Sequence, residues 1–141
     1  MSMERYAIDS AFSVDDNRYV HLESALKGNT LIVKFSKQDC DVCIKQVLKI
    51  LSSDEFAKTN VPNFLVMASG FTPHEALVVK NDWGIPFRMY IADLAGISFA
   101  SETGPKLFIV NKDYIVRDLF FPVYENPENL KLYLRQGLNA Q

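Results

Sequence analysis

The chain has 141 residues, of which 48% are apolar and 23% charged, with a net charge of -2. That is ordinary globular composition, enough for one domain with a proper core (residues 1–141) and short for two. No Lys/Arg-rich run, no apolar stretch of bilayer-spanning length and no signal-type segment after Met1 appears, which argues against nucleic-acid binding, a membrane span and an export leader within these residues.

In chain order, residues 1 to 16 read as irregular, with Phe12 and Val14 as contacts for a strand end. Asp15-Asp16-Asn17 is a turn signal, and Arg18 to Leu22 alternates polar and apolar side chains like a half-buried strand. Glu23 to Lys27 fits one helical turn, broken by Gly28-Asn29. Thr30 to Phe35 is a buried strand, with Leu31, Val33 and Phe35 on one face and Ile32, Lys34 and Ser36 on the other. A short polar turn carries Cys40 and Cys43. After it, Ile44, Val47, Leu48 and Leu51 recur at helical spacing. Asn63 to Ala68 is a continuous apolar run, as in a central strand covered on both faces. Thr72-Pro73-His74-Glu75 is a capping box with proline at the first helical position, which predicts a helix from Pro73 to about Asp82. Phe87 to Ala92 is a short strand, and the stretch through Gly96 to Thr103 is a poorly patterned connection. Lys106–Val110 and Ile115–Phe121 are strands joined by hairpin-turn residues at Asn111-Lys112-Asp113. Asn126 before Pro127 opens a last helix, with Leu130, Tyr133, Leu134 and Leu138 on one face. The alternation defines an α/β domain with a mixed sheet.

Cys40 and Cys43 are the only cysteines in the chain. Two cysteines placed at random would fall at this spacing roughly once in seventy placements, so the pattern carries weight. They stand where a strand feeds a helix, and there unpaired N–H groups and the helix dipole favour thiolate over thiol. The pattern therefore points to a dithiol/disulfide site, with an inert dithiol or a metal-binding pair as the alternatives. Asp39 and Asp41 are like charges that raise the Cys40 pKa against the helix terminus, with Lys34 and Lys37 offsetting part of this. The same two aspartates also suit a helix N-terminus as dipole partners. His21 and His74 read as surface residues, and Trp83 with Phe87, Phe99, Phe108, Phe120 and Phe121 as packing aromatics.

The order strand, C-x-x-C helix, strand, helix, strand hairpin, helix resembles the thioredoxin fold over roughly residues 17 to 138. Asn17 to Leu22 with Leu26-Lys27-Gly28-Asn29 is similar to the N-terminal hairpin and entry of the TlpA-like group of exported bacterial thioredoxin-like proteins. Gly104-Pro105-Lys106-Leu107-Phe108-Ile109-Val110 resembles that group's proline-led strand. The resemblance implies an N-terminal β-hairpin extension, Cys40 as exposed nucleophile, and Cys43 as buried resolving thiol. It also implies a cis Pro105 facing them, which with Gly104 leaves a backbone edge for substrate. Lys34 takes the place of a buried group that, in thioredoxins, moves the proton of the second thiol. The chain departs from the usual Trp-Cys-Gly/Pro-Pro-Cys in reading Asp39-Cys40-Asp41-Val42-Cys43.

The resemblance implies a thiol–disulfide oxidoreductase acting on protein thiols and disulfides with an electron donor, with no cofactor and no metal. A periplasmic or envelope location follows from the same resemblance, with a cytoplasmic one as the alternative. A copper site of the longer-spaced Sco type and a peroxidase with Cys43 as peroxidatic thiol fit the residues less well. A non-catalytic thioredoxin-like module that binds a protein partner is the other reading, since the dipeptide between the cysteines is altered.

Overall fold

A computed structural model describes residues 4–5, 10–22, 25–26, 28–53, 56, 63–92, 104–111, 113 and 115–139. The expected connection through Gly96 to Thr103 and Phe99 lie outside these residues, as does most of the turn at Glu23 to Lys27. Strands β1 (Glu4–Arg5), β2 (Ser10–Ser13), β3 (Arg18–His21), β4 (Thr30–Ser36), β5 (Asn63–Ser69), β6 (Arg88–Ile91), β7 (Lys106–Val110) and β8 (Ile115–Phe120) form one sheet. Its order is β1-β8-β7-β4-β5-β6-β2-β3. Helices α1 (Asp41–Leu51), α2 (Pro73–Trp83) and α3 (Pro127–Asn139) accompany it.

The middle of the sheet follows from the apolar runs. β4 and β5 are parallel, Ile32 beside Leu65 and Val33 beside Val66, because α1 carries the chain back between them. β5 continues in parallel to β6, while β7 runs antiparallel on the other flank of β4. Leu31, Val33, Val66 and Phe35 pack under Ile44, Val47, Leu48 and Leu51 of α1, with Leu130 and Leu134 of α3 and Ala76 of α2 on the same side. Ile32, Leu65, Met67, Tyr90, Phe108 and Val110 form the core of the opposite face, with Leu22 and Leu26. Each fully buried side chain of this size contributes roughly 1.5–3 kcal/mol, so a strand buried on both faces anchors whatever is attached to its end.

The N-terminal stretch is more regular than its sequence suggests. β1 pairs with β8, and β2 pairs with both β3 and β6, so residues 1 to 16, expected to be irregular, contribute two strands. The sequence Ser10-Ala11-Phe12-Ser13 has little strand propensity of its own; its partners in the sheet supply the order. The β2–β3 pair is the expected hairpin extension. Asp15 fastens its turn to the rest of the fold, accepting from the Met89 N–H at 2.9 Å and from Lys80 Nζ at 3.0 Å.

The turn after β7 works through Asn111, whose side-chain oxygen accepts from the N–H groups of Asp113 (2.9 Å) and Ile115 (3.1 Å). β8 carries a register shift against β7, with Asp118 at φ +56°. The freed Asp118 carbonyl accepts from Tyr133 of α3 at 2.5 Å, and the Tyr133 ring stacks on Phe120.

Candidate active site

β4 ends at Ser36 and α1 begins at Asp41, which leaves four residues to turn the chain. Cys40 is the N-cap of α1, with extended backbone (φ -65°, ψ 118°). An N-cap side chain accepts from a backbone N–H that has no partner within the helix, and oxygen usually does this. Here sulfur does: Cys40 Sγ accepts from the Cys43 N–H at 3.3 Å. The Cys40 carbonyl takes the first intrahelical bond, from Ile44 at 3.1 Å. Cys40 is exposed, Cys43 half-buried, and both are free thiols.

The two side chains also hydrogen-bond each other, and this sets their acidities apart. The Cys43 thiol donates to Cys40 and, with the Cys43 N–H, pulls the Cys40 pKa below its ordinary value. The Val42 N–H adds to this, while slight burial and the Asp41 carboxylate push the other way. Cys43 is pushed up to about 11, first by the hydrogen bond it donates to Cys40, then by burial, by the Cys40 charge and by Glu125. One sulfur is thus an exposed incipient thiolate, and the other a protonated reserve.

Asp39, next to Cys40, has both its carboxylate oxygens engaged with backbone. Oδ2 accepts from the Ser36 N–H at 2.8 Å and Oδ1 from the Gly104 N–H at 3.0 Å. This bond ties the segment before Pro105 to the cysteine turn. Gly104 lies at φ +95°, a backbone conformation that a side chain disfavours. Pro105 is buried, and its peptide bond is trans, as are all peptide bonds among the described residues. The cis proline that the resemblance implied is therefore corrected to trans.

The other charges are also distributed differently. Lys37, expected to offset the aspartates, is engaged by the Glu75 carboxylate of α2. Its backbone N–H goes to the Ser69 carbonyl at 3.1 Å. Lys34 is buried at 7% exposure, on the Ile32 side of the sheet and away from α1. Directly across from it in the ladder stands Lys106, fully buried, with Nζ 6.0 Å from the centre of the Phe121 ring. No carboxylate among the described residues is within ion-pair reach of Lys34. Glu125 is the residue that sequence reasoning missed. It lies in the connection between β8 and α3, has no motif around it, and reaches Cys43 only through the fold. The same connection exposes Phe121, Val123 and Tyr124, and α1 exposes Val42 between the cysteines.

His21 and His74 are exposed, as expected. No cluster of His, Cys, Asp or Glu among the described residues is arranged to hold a metal ion. No helix of the described residues is long and apolar enough to cross a membrane. A cavity of about 400 Å³ lies toward the C-terminal end of α1, lined by Lys45, Lys49, Ser52 and Trp83 among others, away from the sulfurs.

No family model matches the sequence, and no curated protein matches it by sequence. Solved structures do match in three dimensions. An uncharacterized conserved protein from Geobacillus kaustophilus superposes with a TM-score of 0.68 at 17% identity, covering 99% of this chain and 84% of that one. A structure described as a putative thiol:disulfide interchange protein DsbE from Chlorobium tepidum gives 0.67 at 12% identity, covering 98% and 99%. A secreted Mycobacterium tuberculosis disulfide oxidoreductase, described as homologous to E. coli DsbE, gives 0.58 at 9% identity, covering 90% and 94%. At such identities the likeness is one of fold, and the fold is that of thioredoxin. Its strand-to-helix junction carries a C-x-x-C pair in this chain.

Proposed function

We propose that the protein is a thiol–disulfide oxidoreductase of the TlpA-like group, acting on protein disulfides through Cys40 and Cys43. The observation that carries this reading is the pair of sulfurs at one helix N-cap, hydrogen-bonded to each other, with one exposed and acidified and the other protonated. Cys40, having lost its proton to solvent, attacks a substrate disulfide; a Cys40–substrate disulfide forms and one substrate sulfur leaves as thiolate. Cys43 then gives up its proton and attacks the Cys40 sulfur, which releases the second substrate thiolate. The substrate gains two electrons and, with the two protons, becomes a dithiol; the protein pair becomes a disulfide. A dithiol donor reverses the last change for the next cycle. The hydrogen bond to Cys40, then burial, the Cys40 charge and Glu125, keep the proton on Cys43, and the first exchange removes the Cys40 charge from that set. The apolar side chains of Val42, Phe121, Val123 and Tyr124 give an unfolded or extended polypeptide something to rest against. An exported setting fits this reading and the secreted M. tuberculosis structure that shares the fold.

Insulin-disulfide reduction by dithiothreitol, wild type against Cys40→Ser, tests the proposal. Acceleration by wild type alone is expected. Equal rates would favour the second reading, a partner-binding module, which the Asp41-Val42 pair between the cysteines supports.

A further inference from the structure

The last paired residues of the β4·β7 ladder are Lys34 and Lys106. The same register continued by two residues sets Ser36 opposite Gly104. The Lys37 N–H turns toward β5, to Ser69, so by strand alternation the Ser36 N–H faces the β7 side. In an unbroken ladder Ser36 and Gly104 would exchange hydrogen bonds with each other. Instead both N–H groups end on one carboxylate, Ser36 on Asp39 Oδ2 at 2.8 Å and Gly104 on Asp39 Oδ1 at 3.0 Å. Asp39 therefore fills a rung that the two strands would otherwise close, immediately before Cys40 in the chain.

We propose that Asp39 is a positioning residue for disulfide exchange: its carboxylate wedges Ser36 and Gly104 apart, holding the Gly104-Pro105 backbone open beside Cys40 to an extended, disulfide-bearing segment of a protein substrate. This rests on the exchange reading above. Several features favour a wedge over a mere loop contact. Gly104 has no side chain to hold it, and among the described residues no atom beyond its chain neighbours lies within 4 Å of where a Cβ would stand. Pro105, which follows, has no N–H to offer the ladder. The Asp39 bonds are charge-assisted and use both oxygens, so the two strand ends are located by one planar group. Lys37, two residues earlier, secures the other side of the turn to α2 through Glu75. The turn is thus braced on both flanks while Cys40 stays exposed.

The test uses Asp39→Ala and Asp39→Asn in the full chain, with two reactions of Cys40. Iodoacetamide is small and needs only the thiolate; insulin needs the backbone edge as well. With Asp39→Ala, kcat/KM for insulin is expected to fall about tenfold or more, mainly through KM, since misplacement of a substrate-positioning group costs rates on that scale. The iodoacetamide rate and its pH profile are expected to stay within about twofold of wild type. Asp39→Asn, which keeps the shape and one acceptor oxygen, is expected to fall between, and it decides the matter if Asp39→Ala does not fold. Equal losses with both reagents, or an unchanged or faster reaction with insulin, would overturn the wedge. A direct readout separates its failure from that of the exchange reading. The Ser36 and Gly104 amide resonances are expected to move together between wild type and Asp39→Asn, whether or not insulin is reduced. If they do not, the wedge is wrong; if they do and insulin is untouched, only the exchange reading fails.

Discussion

Two helices of this protein start in the same way and to opposite effect. α1 follows the parallel strand β4, α2 follows the parallel strand β5, and each opens on an extended N-cap whose side chain accepts from the N–H three residues on. At α2 the cap is Thr72, accepting from Glu75 at 3.2 Å, while the Glu75 carboxylate returns a bond to the Thr72 N–H at 2.9 Å and Pro73 fills the first turn. At α1 the acceptor is the Cys40 sulfur at 3.3 Å, and no side chain among the described residues returns a bond to the Cys40 N–H. Oxygen closes one helix end for stability; sulfur leaves the other exposed and reactive. The difference lies in one atom type and its neighbours, set on equivalent backbone.

The change expected to break this contrast most sharply is Cys40→Ser. Serine is the better cap, so α1 gains a few tenths of a kcal/mol up to about 1 kcal/mol of stability. The exchange reaction loses its nucleophile and falls by about a thousandfold or more toward the uncatalysed rate. Thermal unfolding and insulin reduction on the same samples read both effects, and they are expected to move in opposite directions. A variant that is both less active and less stable would mean that Cys40 is holding the fold and not the chemistry.

The two thiols should also separate by pH. With the Cys43 pKa raised to about 11, only about one per cent of it is thiolate at pH 9, whereas Cys40, lowered, ionises first. Limited iodoacetamide treatment followed by mass mapping is expected to label Cys40 alone below pH 9, and Cys43 only as the pH approaches 11. Glu125→Gln removes one of the charges holding that proton and should bring the second labelling to lower pH. Early labelling of Cys43 in the wild type would remove the asymmetry on which the mechanism depends.

The converse variant, Thr72→Ala, opens the α2 end without touching a sulfur. It is expected to cost about 1 kcal/mol, read as a midpoint lowered by several degrees, with the insulin rate unchanged. Much of this contrast was legible in the sequence. The α1 stripe of Ile44, Val47, Leu48 and Leu51 and the capping box at Thr72 stand in the structure as their spacing required, because both signals are local. The pairings of β1 and β2 were not legible, since Ser10-Ala11-Phe12-Ser13 takes its conformation from strands far away in the chain. The site divides in the same way. Cys40 at the helix start follows from neighbours in sequence. The Asp39–Gly104 bond spans 65 residues, and Glu125 reaches Cys43 from beyond β8, so neither leaves a mark in any short window.

The smallest expected effect links the two helix ends. Glu75 belongs to the α2 cap, yet it also engages Lys37 of the cysteine turn, and these partners lower its pKa from 4.5 to about 2. A carboxyl whose folded pKa is depressed stabilises the fold above its unfolded pKa and loses that contribution as the pH falls through the folded one. The window is therefore from about pH 4.5 down to about pH 2. Glu75 is exposed, so solvent screens the pair and the effect is modest and weakened by salt. Unfolding midpoints of wild type and Glu75→Gln, measured across this range, are expected to converge as the pH drops. If the gap instead stays constant, the carboxylate charge contributes nothing, and the ordering of the α2 end rests on Thr72 and Pro73. If the insulin rate of Glu75→Gln also holds, the Lys37 brace is dispensable, and the cysteine turn is kept in place from the Asp39 side alone.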